Sequence, residues 1–106
     1  MMGEVRAHLH VRGRVQGVSF RFYTRQQAVA RDIKGWVRNL WDGRVEVVIQ
    51  GDSGRVNELI AWCKRGPSSA RVDDVWVEWE PPQEDCVGFE IRSTARGGQD
   101  EKSTQD

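Results

Sequence analysis

The chain has 106 residues, with 16 Lys plus Arg balanced by 16 Asp plus Glu. That length suits one domain with its own core, and the balance leaves no net field to attract nucleic acid or a membrane surface. Met1-Met2-Gly3-Glu4 lacks the apolar run of a signal peptide, and no stretch approaches membrane-spanning length, so the expected location is the cytoplasm. Cys63 and Cys86 are the only cysteines; they read as reduced thiols, and no cluster has zinc-finger spacing.

Val5 to Val11 alternates, placing Val5, Ala7, Leu9 and Val11 on one face and Arg6, His8 and His10 on the other, as in a strand covered on one side. His8 and His10 could together ligate a metal, but no third ligand is evident in the sequence, and a polar sheet face is the simpler reading. Next comes Gly13-Arg14-Val15-Gln16-Gly17-Val18-Ser19-Phe20-Arg21. A helix is expected from Phe20 to Arg31, with Ser19 as its N-cap and a blurred apolar stripe in which Phe20, Tyr23 and Gln27 share a side. A second strand spans Gly35 to Leu40. Trp41-Asp42-Gly43-Arg44 is expected to close a hairpin through a primed turn, and Arg44 to Gln50 returns as a third strand.

Asp52 or Ser53 caps a second helix, whose Val56, Leu59, Ile60 and Cys63 follow helical spacing; Gly66-Pro67 stops it. Val75 to Trp79 alternates as a fourth strand ended by Pro81-Pro82. A short fifth strand, Gly88 to Arg92, is expected to turn Phe89 and Ile91 inward. The order β-α-β-β-α-β plus a short terminal strand predicts an α+β, ferredoxin-like sandwich: one antiparallel sheet with two helices on one face. The domain is expected over residues 1–93. A polar tail, 94–106, is expected to be disordered.

The loop after the first strand carries the chemistry. Two glycines four residues apart allow backbone N–H groups to converge, the helix adds its unpaired N–H groups, and Arg21 supplies a planar fork of donors. Together they describe a pocket for a small phosphorylated group, although a plain strand-to-helix turn would use the same glycines. No Gly-Lys-Ser/Thr makes it a nucleotide loop, and the glycine spacing is not the dinucleotide fingerprint. In the expected topology strands one and two run parallel with strand three between them. Asn39, ending strand two, then lies at the same end as the loop, about 10 Å away. Its amide either satisfies the nearby turn or holds a water facing the bound phosphorus.

Taken together, the loop through Arg21, Gly35-Trp36-Val37-Arg38-Asn39, Asp42-Gly43-Arg44-Val45-Glu46, Trp62-Cys63, Gly66-Pro67, Ala70, Val72 and Gly88-Phe89-Glu90-Ile91-Arg92 resemble the acylphosphatase family. The resemblance covers nearly all of the chain before the tail. It implies metal-independent hydrolysis of the carboxyl–phosphate bond of acyl phosphates, with no cofactor and no covalent enzyme intermediate. It also implies that Arg21 and the backbone amides of Val15, Gln16, Gly17, Val18, Ser19 and Phe20 bind the phosphoryl group, while Asn39 orients the attacking water. A small-molecule acyl phosphate is the expected partner of a monomer. One departure stands out: Arg31-Asp32 replaces the family's usual Leu-Gly at the end of the first helix, where only some residues tolerate a left-handed backbone.

Two other readings compete. Related folds bind RNA on an aromatic sheet face, and Trp36, Trp41, Trp62, Trp76 and Trp79 are available, but the neutral charge and missing RNA-binding aromatic pattern oppose this and most of these rings read as packing. A domain handling carbamoyl phosphate within a larger maturation enzyme would share the motifs; the polar tail favours a free-standing enzyme.

Overall fold

The alternation of Val5 to Val11 does build a strand, longer at both ends than the pattern alone indicates. The computed structural model describes residues 3–96, and in it the elements are β1 (Glu4–Arg14), α1 (Phe20–Ala30), β2 (Lys34–Asn39), β3 (Val45–Asp52), α2 (Ser53–Arg65), β4 (Arg71–Glu80) and β5 (Phe89–Ile91). The sheet order is β4-β1-β3-β2-β5. Every pairing is antiparallel except β2 with β5. This is the expected ferredoxin-like arrangement, with β3 between the parallel β1 and β2, so the ends of β1 and β2 that precede α1 and the hairpin lie at one end of the sheet.

Ala7, Leu9 and Val11 of β1, Val45, Val47 and Ile49 of β3 and Val37 of β2 are buried against the helices. From α2 the expected Val56, Leu59, Ile60 and Cys63 are buried, and Trp62 joins them. From α1 the buried stripe is Phe20, Thr24 and Ala28, not the side holding Tyr23. Periodicity missed Thr24 because it is polar; burial is tolerated because its hydroxyl donates to the Phe20 carbonyl at 2.8 Å. Burial pushes the Cys63 thiol up to about 12, and both Cys63 and Cys86 are free thiols. Trp36 and Trp62 are packed, whereas Trp41, Trp76 and Trp79 are more than half exposed.

Three local expectations are revised. Asp42 has no positive φ; Gly43 alone is left-handed, and its N–H donates to the Leu40 carbonyl at 3.1 Å. The connection is therefore a type I turn followed by a glycine bulge rather than a primed turn. Ile91 is 44% exposed while Phe89 is buried, because β5 is a short edge strand that covers the core with one residue only. Ala95 continues the sheet beyond Thr94, bridging to Leu40, and its N–H donates to the Asn39 carbonyl at 3.1 Å. The rest of the expected tail, residues 97–106, lies outside the described residues.

The Arg31-Asp32 departure is accommodated. Asp32 adopts φ +57; the Ile33 N–H reaches the Ala28 carbonyl at 2.9 Å and the Asp32 N–H reaches the Val29 carbonyl at 3.1 Å. This is the paired closure that usually employs Gly at the left-handed position. Arg31 meanwhile ties α1 to α2 through Glu58, at 3.2 Å.

Candidate active site

β1 runs to Arg14, which divides the two loop glycines between different tasks. Gly13 sits inside β1 where the register with β4 shifts, and a Cβ there would collide with the Arg71 backbone carbonyl. It is required by strand packing. Gly17 has φ +75 with open space where a side chain would go, so its requirement is conformational. Ser19 is also left-handed, φ +63, and Val18 between them is not. Alternation of this kind turns successive N–H groups toward one side and forms an anion-binding concavity. Ser19 occupies the N-cap position but its side chain makes no capping bond, contrary to expectation, because the left-handed backbone carries the hydroxyl away from the helix amides. The first turn of α1 is closed by the Tyr23 N–H to the Ser19 carbonyl, 3.1 Å; the amides of Phe20, Arg21 and Phe22 precede it and have no intrahelical acceptor.

Buried anchors hold this loop. Val15 and Phe20 are 1% exposed, Val18 packs against the core, and the Phe20 ring lies 5.6 Å from that of Trp62. The Ser69 hydroxyl donates to the Val18 carbonyl at 2.8 Å. Gln16 has a role that sequence reasoning missed: its Nε2 donates to the carbonyls of Leu40 at 2.7 Å and Arg44 at 2.9 Å. One side chain thus fixes the loop to the β2–β3 hairpin. No local signal marks it, since both acceptors are backbone atoms more than twenty residues away.

A cleft of about 430 Å³ opens at this end of the sheet, lined by Val15, Gly17, Ser19, Phe20, Arg21 and Asn39, with Phe22 and Ile91 at its edge. The loop, the arginine and the asparagine are therefore brought together, while Gln16 and Val18 direct their side chains elsewhere. Arg21 is partly buried and forms no ion pair or hydrogen bond among the described residues. Asn39 Oδ1 is buried and, among the described residues, has no hydrogen-bond partner. The turn-satisfying reading of Asn39 fails, because the backbone of Leu40, Gly43 and Arg44 and the Asp42 carboxylate close the turn without it. A buried carbonyl oxygen left without a donor costs on the order of 1–3 kcal/mol, so such a group on a cleft wall marks a place meant for an incoming donor. A fork of cationic donors, a concavity of amides and an orphan acceptor suit one anionic tetrahedral group with a water beside it.

The chain is similar in sequence and in fold to known proteins. The family model for Acylphosphatase matches residues 7–91. An acylphosphatase of Chloroflexus aurantiacus is 58% identical over 81 residues, covering 76% of this chain and 88% of that protein. The crystal structure of acylphosphatase from Bacillus subtilis superposes with a TM-score of 0.80 at 33% identity, covering 83% of this chain and 98% of that one. HypF of T. kodakarensis shares the fold over 86% of this chain, TM-score 0.74 at 30% identity, but the match spans only 12% of that larger protein. The chain belongs to the acylphosphatase family.

Proposed function

We propose that the Arg21–Asn39 cleft hydrolyses acyl phosphates without a metal, with the loop amides from Val15 to Phe20 and the Arg21 guanidinium holding the phosphoryl oxygens. The Asn39 Oδ1 accepts a hydrogen bond from a water and aims its lone pair at phosphorus. Water attacks as the carboxylate departs in line, so the P–O bond to the acyl group breaks while a new P–O bond forms. The water's proton passes to a phosphoryl oxygen, and the products are a carboxylate and inorganic phosphate. The leaving group is good and the transition state loose, so fixed donors and positioning supply the catalysis and no general base is needed. Phe22 and Ile91, 57% and 44% exposed at the cleft edge, would meet the acyl group and favour an apolar one.

The observation that carries this reading is that Arg21 and Asn39 line one cleft, and that among the described residues neither Arg21 nor the Asn39 Oδ1 has a hydrogen-bond partner. We further assign the protein as a cytoplasmic monomer acting on a small molecule; among the described residues no helix is long and apolar enough to cross a membrane. Nucleic acid is disfavoured as a partner because the chain carries no net charge and Arg6, Arg12 and Arg38 of the open sheet face are paired with Glu80, Asp74 and Glu46. The test is benzoyl phosphate hydrolysis with EDTA present for wild type, Arg21→Ala and Asn39→Ala, with circular dichroism on each. Turnover by wild type that is lost in both folded variants is the expected result. Activity surviving Asn39→Ala but not Arg21→Ala would refute the water-positioning role.

A further inference from the structure

On the sheet face away from the helices, register brings together a group that the proposed catalysis does not use. His8 and His10 alternate along β1, and the antiparallel pairing sets Glu46 of β3 directly opposite His10. One ring nitrogen of His8, one of His10 and a Glu46 carboxylate oxygen all lie within 4.8 Å of one another. Glu46 Oε2 is 2.6 Å from the His8 Nε2 and 3.6 Å from the His10 Nε2. Two donors on one tetrahedral zinc-sized ion stand about 3.3 Å apart, between those two separations.

The surroundings are those of a metal site rather than a loose cluster. Glu46 is 1% exposed, and its other oxygen is held by Arg38 Nε at 2.7 Å, which leaves Oε2 directed at the imidazoles. Glu80 Oε2 takes the His8 Nδ1 at 2.7 Å; a carboxylate behind a ligating histidine is the arrangement that fixes the ring's tautomer and direction. An ion-pair network alone accounts for His8, whose two nitrogens both have partners. It does not account for His10, whose Nε2 at 3.6 Å is beyond hydrogen-bond reach although its ring is stacked on His8 at 4.9 Å. An open cleft beside His10, bounded by Arg12, Arg44, Trp76 and Glu78, gives an ion access. Arg38 is paired with Glu46 and Arg44 with Asp42, so neither presents a bare cation to the site.

We propose that His8, His10 and Glu46 bind one borderline divalent cation of the zinc class, with solvent as the fourth ligand and Glu80 as the residue that positions His8. Coordination replaces the proton shared by His8 Nε2 and Glu46 Oε2 with the ion and releases that proton. The site shares no residue with the cleft, so the proposal stands or falls independently of the catalytic reading. Imidazole donors favour such ions over Mg²⁺ or Ca²⁺.

The test is a Zn²⁺ titration of untagged, chelator-washed protein at about pH 8, where the ion competes best with the proton. The two histidines are followed as two imidazole signals by NMR. One equivalent of Zn²⁺ is expected to shift both signals together and raise the melting temperature, with Mg²⁺ doing neither. Glu80→Gln is expected to weaken binding about 10–100-fold, and His10→Gln to weaken it more while circular dichroism shows an unchanged fold. Among the described residues His10 makes no hydrogen bond, only the 3.6 Å approach to Glu46, so its replacement should leave the fold intact. No shift of the two signals by Zn²⁺, or equal affinity in folded His10→Gln, would overturn the site and leave an ion-pair network.

Discussion

The two ends of the polar inventory are arranged in opposite ways. At the cleft, among the described residues, Arg21 has no hydrogen-bond or ion-pair partner and the Asn39 Oδ1 is buried and unpaired. On the open sheet face the buried polar groups are interlocked. Arg6 donates to Glu80 at 3.2 Å and to Gln50 at 3.0 Å, His8 lies between Glu46 and Glu80, and Gln50 also receives the Gln83 N–H at 3.0 Å. Both regions are built on the same strands and differ in how their polar atoms are satisfied. Unpaired groups lower stability and are retained where a substrate completes them, whereas paired groups hold the sheet.

The largest expected effects fall on the unpaired groups. Removing one preorganised donor from a developing oxyanion costs roughly 3 kcal/mol, so Arg21→Ala should lower kcat/KM for benzoyl phosphate by about 10²–10³-fold. Thermal melting should be nearly unchanged, because no hydrogen bond or ion pair with the described residues is lost. Glu46→Gln reverses the pattern. Truncating the charge of a buried carboxylate that serves Arg38 and His8 should destabilise by about 3 kcal/mol, read by urea denaturation, with turnover per folded molecule preserved.

The interlocked face should also give stability its pH profile. The Glu46 hydrogen bond is the main cause that raises the His8 pKa, against a burial penalty, with Glu80 adding to it. Glu46 and Glu80 are lowered in turn, since their hydrogen bonds with His8 and with Arg38 and Arg6 outweigh burial. A raised histidine stabilises fully below its unfolded value, about 6.5, and this contribution is lost as pH rises through the higher folded value. The lowered carboxylates stabilise above about 4.3 and lose this as pH falls through their folded values. Stability measured in EDTA should therefore peak between the two, and His8→Gln should remove the decline that begins above about pH 6.5, leaving the later alkaline loss from the raised Cys63 thiol. A decline of unchanged slope in His8→Gln would assign it to another group.

Smaller effects sharpen the boundary between the regions. Gln16→Ala removes the two bonds that join the loop to the hairpin. At about 1 kcal/mol each the protein should stay folded, but the loop and Asn39 lose their common reference, so kcat should fall more than the melting temperature does. Asp32→Gly relieves a left-handed Asp of φ +57 and should raise stability by about 1 kcal/mol, seen as a few degrees in Tm with no change in turnover.

Much of this could be read from the sequence, because its signals are local. The alternation of β1, the helical spacing of Val56 to Cys63 and the glycine loop before Arg21 each lie within a dozen residues. The element order then placed Asn39 at the same end as the loop. What escaped was fixed by distant partners. Thr24 hides in the core by bonding its own helix, Gln16 serves backbone atoms of a hairpin, and Glu46 meets His8 and His10 only through strand register. The glycine pair was legible as a pair, yet the split between packing at Gly13 and conformation at Gly17 depends on where β4 runs.

Turnover and thermal melting measured side by side for Asn39→Ala and Glu46→Gln separate the role of the cleft from that of the sheet face. Asn39→Ala should lose about 10²-fold in kcat and melt no earlier than wild type, since it deletes an unsatisfied buried oxygen, while Glu46→Gln should melt earlier and keep its turnover. Parallel losses of melting temperature and turnover in both variants would contradict the account, showing that Asn39 holds the fold together and that the cleft and the sheet face are not separate in what they do.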